Sequence, residues 1–225
     1  MINICRAGLI LWATILYLAA AVLPAAAQTP QEVIAKVQAQ YDKSGGFKAW
    51  FKQETRLKGS SQGDMAEGLV HFQKPLKMRW EYKTPPAQRK DVISDGSQVW
   101  IYQPQDRIVM VYPLKQVLRS DLVMRFFSGM GQLSQEFKIS WHRPPGEGSP
   151  YSLNLKPVKP QMELKDLTLT VDPITYRVEG LAFSNALGEE TRFTFSGIQM
   201  DFKASPGFYT FTPPPGVQVV KETPG

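Results

Sequence analysis

Leu76, Met78, Trp80 and Tyr82 alternate without a break against Lys77, Arg79, Glu81 and Lys83. Successive side chains of an extended chain point to opposite sides, so this octet predicts a strand with one apolar and one charged face. The sequence around it, from Gly68 to Tyr112, reads as a meander. Thr84-Pro85-Pro86 breaks the first strand. Asp95-Gly96 lies between two hydrophobic runs and is well suited to the positive φ angles of a tight hairpin. Val99-Trp100-Ile101-Tyr102 follows, then a turn at Pro104-Gln105-Asp106 and a last strand from Arg107 to Tyr112. Trp100 and Tyr102 fall on one face of their strand and Val99 and Ile101 on the other, so a large apolar surface has to be covered.

Upstream, Thr29-Pro30-Gln31-Glu32 combines an N-cap threonine, a proline at the first helical position and a glutamate able to reach back as a capping box. Val33, Ile34, Val37 and Tyr41 share one face of the helix this predicts, and Gly45-Gly46 ends it. From Phe47 the period becomes two: Phe47, Ala49, Phe51, Thr55 and Leu57 oppose Lys48, Lys52, Glu54, Arg56 and Lys58, and a strand from Met65 to Gln73 follows a polar loop. Leu114, Val117, Leu118 and Leu122 return to helical spacing, while Val123, Met124, Phe126 and Phe127 spread apolar surface around that helix. Such a helix is either well buried or touches something besides its own sheet, and periodicity does not choose between them. Beyond Gly129-Met130-Gly131 the chain is again strand-like. A parity change near Lys165-Asp166 predicts a bulge. The whole is most economically one antiparallel sheet of about ten strands, a size at which open sheets curl.

Residues 1–27 carry Arg6, an apolar run from Leu9 to Leu23 and Ala25-Ala26-Ala27, the anatomy of an export signal cut after Ala27; an uncleaved anchor is the rival reading. The only cysteine, Cys5, precedes the apolar run, so the mature chain is expected to be neither lipidated nor disulfide-bonded. Beyond residue 27, 25 Lys and Arg stand against 20 Asp and Glu, a net charge of +5. The basic residues alternate with apolar ones instead of clustering, which argues against nucleic-acid binding. His71 and His142 stand alone on predicted strands and read as surface or strand-edge residues. No zinc spacing, nucleophile elbow or phosphate loop is present, so no metal, cofactor or enzymatic activity is expected.

The order Gly68, Lys74-Pro75, Trp80-x-Tyr82, Ser94-Asp95-Gly96 and Trp100-x-Tyr102-x-Pro104 resembles the bacterial outer-membrane lipoprotein carrier family, the LolA proteins. Phe208-Tyr209-Thr210-Phe211-Thr212-Pro213-Pro214-Pro215-Gly216-Val217 is similar to that family's closing phrase. The resemblance implies a mainly β fold for residues 28–225, a single domain built on one large curled antiparallel sheet. This half-open β-barrel would have helices lidding its concave apolar face. It further implies a periplasmic, monomeric, non-enzymatic carrier of acylated lipoproteins, loaded by an inner-membrane lipoprotein-releasing ABC transporter and unloaded onto an outer-membrane acceptor lipoprotein. Another lipid or glycolipid as cargo, or a sensor role on the same fold, is the alternative, and a hydrolase a more distant one. On the residues alone a closed core is favoured, since apolar strand faces are ordinarily core. The resemblance implies an apolar cavity lined by Val70, Phe72, Leu76, Met78, Trp80, Tyr82, Trp100 and Tyr102. We assign Leu118, Leu122 and Phe126 as the lid's contact with the sheet. Lys74 occupies the place of the family arginine that holds the lid. Lysine lacks the planar set of donors arginine offers to carbonyls, so a looser latch is expected.

Overall fold

The computed structural model describes residues 28–57, 59–60, 62–120, 127, 132–160, 162 and 164–221, the last three residues of 114–120 by backbone only. The proposed export signal, residues 1–27, lies outside them. The chain begins with α1 (Pro30–Lys43), followed by β1 (Gly46–Leu57), β2 (Gly63–Gln73), β3 (Lys77–Thr84), β4 (Lys90–Asp95), β5 (Gln98–Gln103) and β6 (Ile108–Pro113). Then come α2 (Leu114–Ser120), a single turn α3 (Leu133–Glu136), β7 (Phe137–Arg143), β8 (Tyr151–Pro157), β9 (Asp166–Val171), β10 (Val178–Ser184), β11 (Glu189–Met200) and β12 (Gln218–Lys221).

The start of α1 is the one read from the sequence. The Thr29 hydroxyl accepts from the Glu32 N–H at 3.3 Å, and the Glu32 carboxylate accepts from the Thr29 N–H at 2.7 Å, with Pro30 opening the helix. The backbone donor at Thr29 holds the Glu32 carboxyl below its ordinary value. Val33, Ile34, Val37 and Tyr41 are all buried, as the helical spacing predicts.

All twelve strands join one sheet in the order β12-β6-β5-β4-β3-β2-β1-β11-β10-β9-β8-β7, curled and unclosed, with β12 and β7 as its edges. The first strand of the chain lies in the middle because β11 returns along it from Phe47↔Met200 to Leu57↔Glu189. Two expectations need correcting. The sheet has more strands than expected and is not wholly antiparallel, since β12 runs parallel to β6, Gln218 facing Ile108. The parity change near Lys165-Asp166 is no bulge: β8 ends at Pro157, β9 starts at Asp166, and the connection between them tucks Leu164 into the core.

Directly opposed residues of paired strands share a face, so the register sorts the sheet into two sides. On the inner side lie Phe47, Phe72 and Met78 in one row and Ala49, Val70 and Trp80 in the next. They form a continuous core with α1, with Phe195 of β11, and with Leu153, Leu155, Leu167 and Leu169 of the far strands. The outer side has a smaller apolar layer of its own. Arg79 opposes Ile93, Ile93 opposes Trp100, and Trp100 opposes Val111. Ile93 and Val109 are fully buried there. Their cover is the C-terminal strap, residues 201–217, which crosses the outer face before the chain joins the edge as β12. Phe211 lies 5.2 Å from the Tyr102 ring and Phe208 4.9 Å from His71. Arg79 ties the strap down by donating to the Phe208 carbonyl at 3.2 Å and pairing with Asp91 at 3.1 Å.

His71, read from sequence as a surface residue, is therefore buried under Phe202 and Phe208. Burial pushes its imidazole below the ordinary histidine value; Glu81 and a hydrogen bond to the Arg79 backbone oppose the shift, and the Lys48 and Arg79 charges add to it. The unfolded chain takes up this proton near pH ~6.5, the folded chain only at lower pH. Stability is thus intact above that value and is lost as pH falls through the window below it. In chemical denaturation series, the fall in unfolding midpoint between about pH 7 and 5 is expected to be shallower for His71→Gln than for the wild type.

Candidate functional site

The inner face is graded along its length. On β1, Phe47, Ala49 and Phe51 are buried, whereas Gln53 and Thr55, farther along on the same side, are only half-buried. At the deep end, the Phe47 and Phe72 rings stack at 5.1 Å. Phe127, from the segment after α2, plugs the space above them, with ring centroids 5.4 Å from both Phe47 and Phe72 and 5.5 Å from Tyr41. Burial drives the Tyr41 hydroxyl up to about 12, and it accepts from the Val178 N–H at 3.1 Å.

Toward the other end the rings open to solvent. Phe51 meets Trp80 at 5.0 Å and Tyr82 at 4.9 Å, and Phe193 meets Trp80 at 5.4 Å, Phe195 at 6.1 Å and Phe183 at 6.4 Å. Tyr82, Phe183 and Phe193 stay half-exposed. Gly68 makes this floor possible. It faces both Phe51 and Tyr82 in the ladder, and a Cβ there would lie 1.9 Å from the Glu81 carbonyl and 2.9 Å from the Phe51 ring. The missing side chain is the space in which the Phe51 ring crosses to Tyr82.

The sequence-derived lining divides. Val70, Phe72, Met78 and Trp80 are buried together on the inner face, and Tyr82 is half-buried beside them. Leu76 packs half-buried against the same core but stands at φ 64°, so it belongs to the turn before β3 and not to the strand. Trp100 and Tyr102 must be corrected: they lie on the outer face under Phe211. Ile101, paired with Val92, and Val99, paired with Ser94, hold the inner positions of β5. Both faces of β5 are apolar, so alternation alone could not say which turned inward. Trp100→Ala is accordingly expected to lower the unfolding midpoint while leaving any ligand of the inner face bound as tightly as before, which tryptophan-independent titration of a labelled ligand would check.

Of the proposed lid contacts, Leu118 lies in α2 with its side chain undescribed, and Leu122 and Phe126 fall outside the described residues. Leu114 of α2 is buried and Val117 packs half-buried against the core. Lys74 is a latch on a different element from the one expected. Its ammonium donates to the carbonyls of Tyr41 at 2.6 Å and Asp42 at 3.2 Å, the last turn of α1, where a cation also complements the helix dipole. Lys74→Met should cost about 1–2 kcal/mol of stability and speed amide exchange in the last turn of α1, with Lys74→Arg restoring both.

Phe51, Phe183, Phe193 and Phe195 complete the floor, and sequence reasoning did not assign them to it. Phe193 and Phe195 alternate with Thr194, a local strand signal, but only the β1–β11 pairing carries them to Phe51. Among the described residues no three of His, Cys, Asp and Glu gather as a metal site, and no helix is long and apolar enough to cross a membrane.

Residues 42–212 match the family model of the outer membrane lipoprotein carrier protein LolA. An outer-membrane lipoprotein carrier protein of Bordetella pertussis is 31% identical over 204 residues, covering 90% of this chain and 91% of that protein. One from Chromohalobacter salexigens is 26% identical over 200 residues, covering 89% and 92%. A crystal structure of a conserved, uncharacterized protein of Thermus thermophilus shares the fold, with a TM-score of 0.55 at 13% identity, over 85% of this chain and 98% of that one.

Proposed function

Because this chain belongs to the outer membrane lipoprotein carrier family, LolA, we propose that its inner face binds the acyl chains of lipoproteins. In this reading the protein is a non-enzymatic periplasmic carrier, exported by the signal in residues 1–27. It receives cargo from a lipoprotein-releasing ABC transporter of the inner membrane and surrenders it to an acceptor lipoprotein at the outer membrane. The observation that carries the reading is the aromatic floor itself. Phe51 and Trp80 are buried, yet the rings next to them, Tyr82, Phe183 and Phe193, face solvent in part. A chain in water gains nothing from leaving such a row half wet unless something apolar covers it.

The energetics make a carrier necessary. Each methylene withdrawn from water is worth ~0.8 kcal/mol, so a chain of about sixteen carbons resists the aqueous crossing by on the order of 10 kcal/mol. Entry to the deep end requires the Phe127 ring that fills it to give way. Met78, buried on the inner face, offers a side chain that repacks at small cost as chains come and go.

The test is a native mass spectrum of the mature chain expressed in a periplasm and purified gently. Adducts that dissociate into di- or triacylated peptides are the expected result. Adducts of peptide-free lipid would replace this reading by a lipid carrier or sensor, and a clean apo mass amid abundant envelope lipid would overturn it in favour of a closed core.

A further inference from the structure

Where the aromatic floor ends, a cleft of about 420 Å³ begins, lined among others by Gln53, Asp64, Lys90, Gln103, Asp106 and Glu189. The two meet at Tyr82. Its hydroxyl donates to Gln53 Oε1 at 2.9 Å, and the Lys90 ammonium stands 4.5 Å from its ring centroid. Lys90 opposes Tyr82 in the β3–β4 ladder, so it lies on the inner side of the sheet. It is half-buried and, among the described residues, has no carboxylate within ion-pair distance. The ammonium rests on the Tyr82 ring face, and among the described residues no hydrogen bond takes up its N–H donors. Burial pushes its pKa below the ordinary lysine value, the mark of a cation short of water.

We propose that this cleft seats the polar head of the acylated ligand, with Lys90 donating to the ester or amide carbonyl oxygens at the root of the acyl chains and the Gln53 and Gln103 amides bonding the rest of the head. The inference rests on the carrier reading and adds an end-to-end orientation: tails on the Phe51–Trp80–Phe193 floor, head between β1 and β4. A carbonyl there meets a charged donor that desolvation has made stronger than it would be in water. The same oxygens occur in a diacylglyceryl-cysteine peptide and in a phospholipid.

The experiment titrates the mature full-length chain with three fluorescent probes: a dipalmitoyl-glyceryl-cysteinyl peptide, dipalmitoyl phosphatidylglycerol and a headless long-chain alkane. Lys90→Met, which keeps the stem and its contact with Tyr82, is expected to weaken the headed probes about tenfold or more, the scale of one charged hydrogen bond. The alkane should bind unchanged, and Lys90→Arg should recover the loss. A larger loss for the peptide than for the phospholipid would identify the head as that of a lipoprotein, and the reverse as that of a membrane lipid. Equal weakening of all three probes, or of none, would overturn the head site while leaving the carrier reading intact. Failure of the wild type to bind any probe would overturn the carrier reading and the head site with it.

Discussion

Gly68→Ala is expected to lower the free energy of unfolding by more than about 3 kcal/mol, beyond what repacking of an overfilled core ordinarily costs. The added methyl has nowhere to go. It would stand 1.9 Å from the Glu81 carbonyl, which is backbone held in the β2–β3 ladder, and 2.9 Å from the Phe51 ring. Relief requires both that β3 move off β2 and that Phe51 shift from Tyr82 and Trp80, which its ring meets at 4.9 and 5.0 Å. Denaturant unfolding followed by tryptophan fluorescence would read the change. Gly59→Ala is the control, at a glycine with open space around it though at φ 83°. Its cost should be confined to backbone strain of about 1 kcal/mol. A loss at Gly68 no larger than at Gly59 would mean that the aromatic floor is not braced by the close approach of β2 and β3.

Phe193→Asp is expected to weaken binding of an acylated probe more than about a hundredfold, with a smaller loss of stability than any substitution at Phe51. Phe193 is half-exposed and touches Phe51, Trp80, Phe183 and Phe195, so it sits at the wet border of the floor and not beneath it. A carboxylate there would remain hydrated in the free protein and lose that water only when acyl chains cover it. An uncompensated charge in apolar surroundings costs several kcal/mol. The penalty therefore falls on the bound state. Phe193→Leu, which keeps the surface apolar, should stay near wild type. Unaltered binding by Phe193→Asp would place the ligand elsewhere and remove the main support for the carrier reading.

Part of this site is legible in the order of residues alone. The alternation through Met78, Trp80 and Tyr82 marks one face of β3 as apolar, and the same face is the inner one. The family resemblance, not the residue order, implies a lid latch at Lys74, and its ammonium instead bonds the last turn of α1. The identity of its partner depends on where the helix end comes to rest beside the β2–β3 turn, a contact between residues more than thirty positions apart. The closing phrase around Phe208 and Phe211 is legible as a motif. That it serves as the cover of the outer face, over His71, Trp100 and Tyr102, is not.

The sequence by itself determined what is local: the capped start of α1, the period-two strands, the Asp95-Gly96 turn and the choice of a mainly β chain. These follow from backbone geometry and from which side chains can cap or bend it over a few residues. The tertiary structure alone decided which face of β5 looks inward, that β11 returns to β1, and that Phe193 joins Phe51 and Trp80 above Gly68. The reason is that the side-chain period of a strand is two. Alternation defines two faces but does not label them, and a slip of one residue in a distant pairing exchanges them for the whole strand.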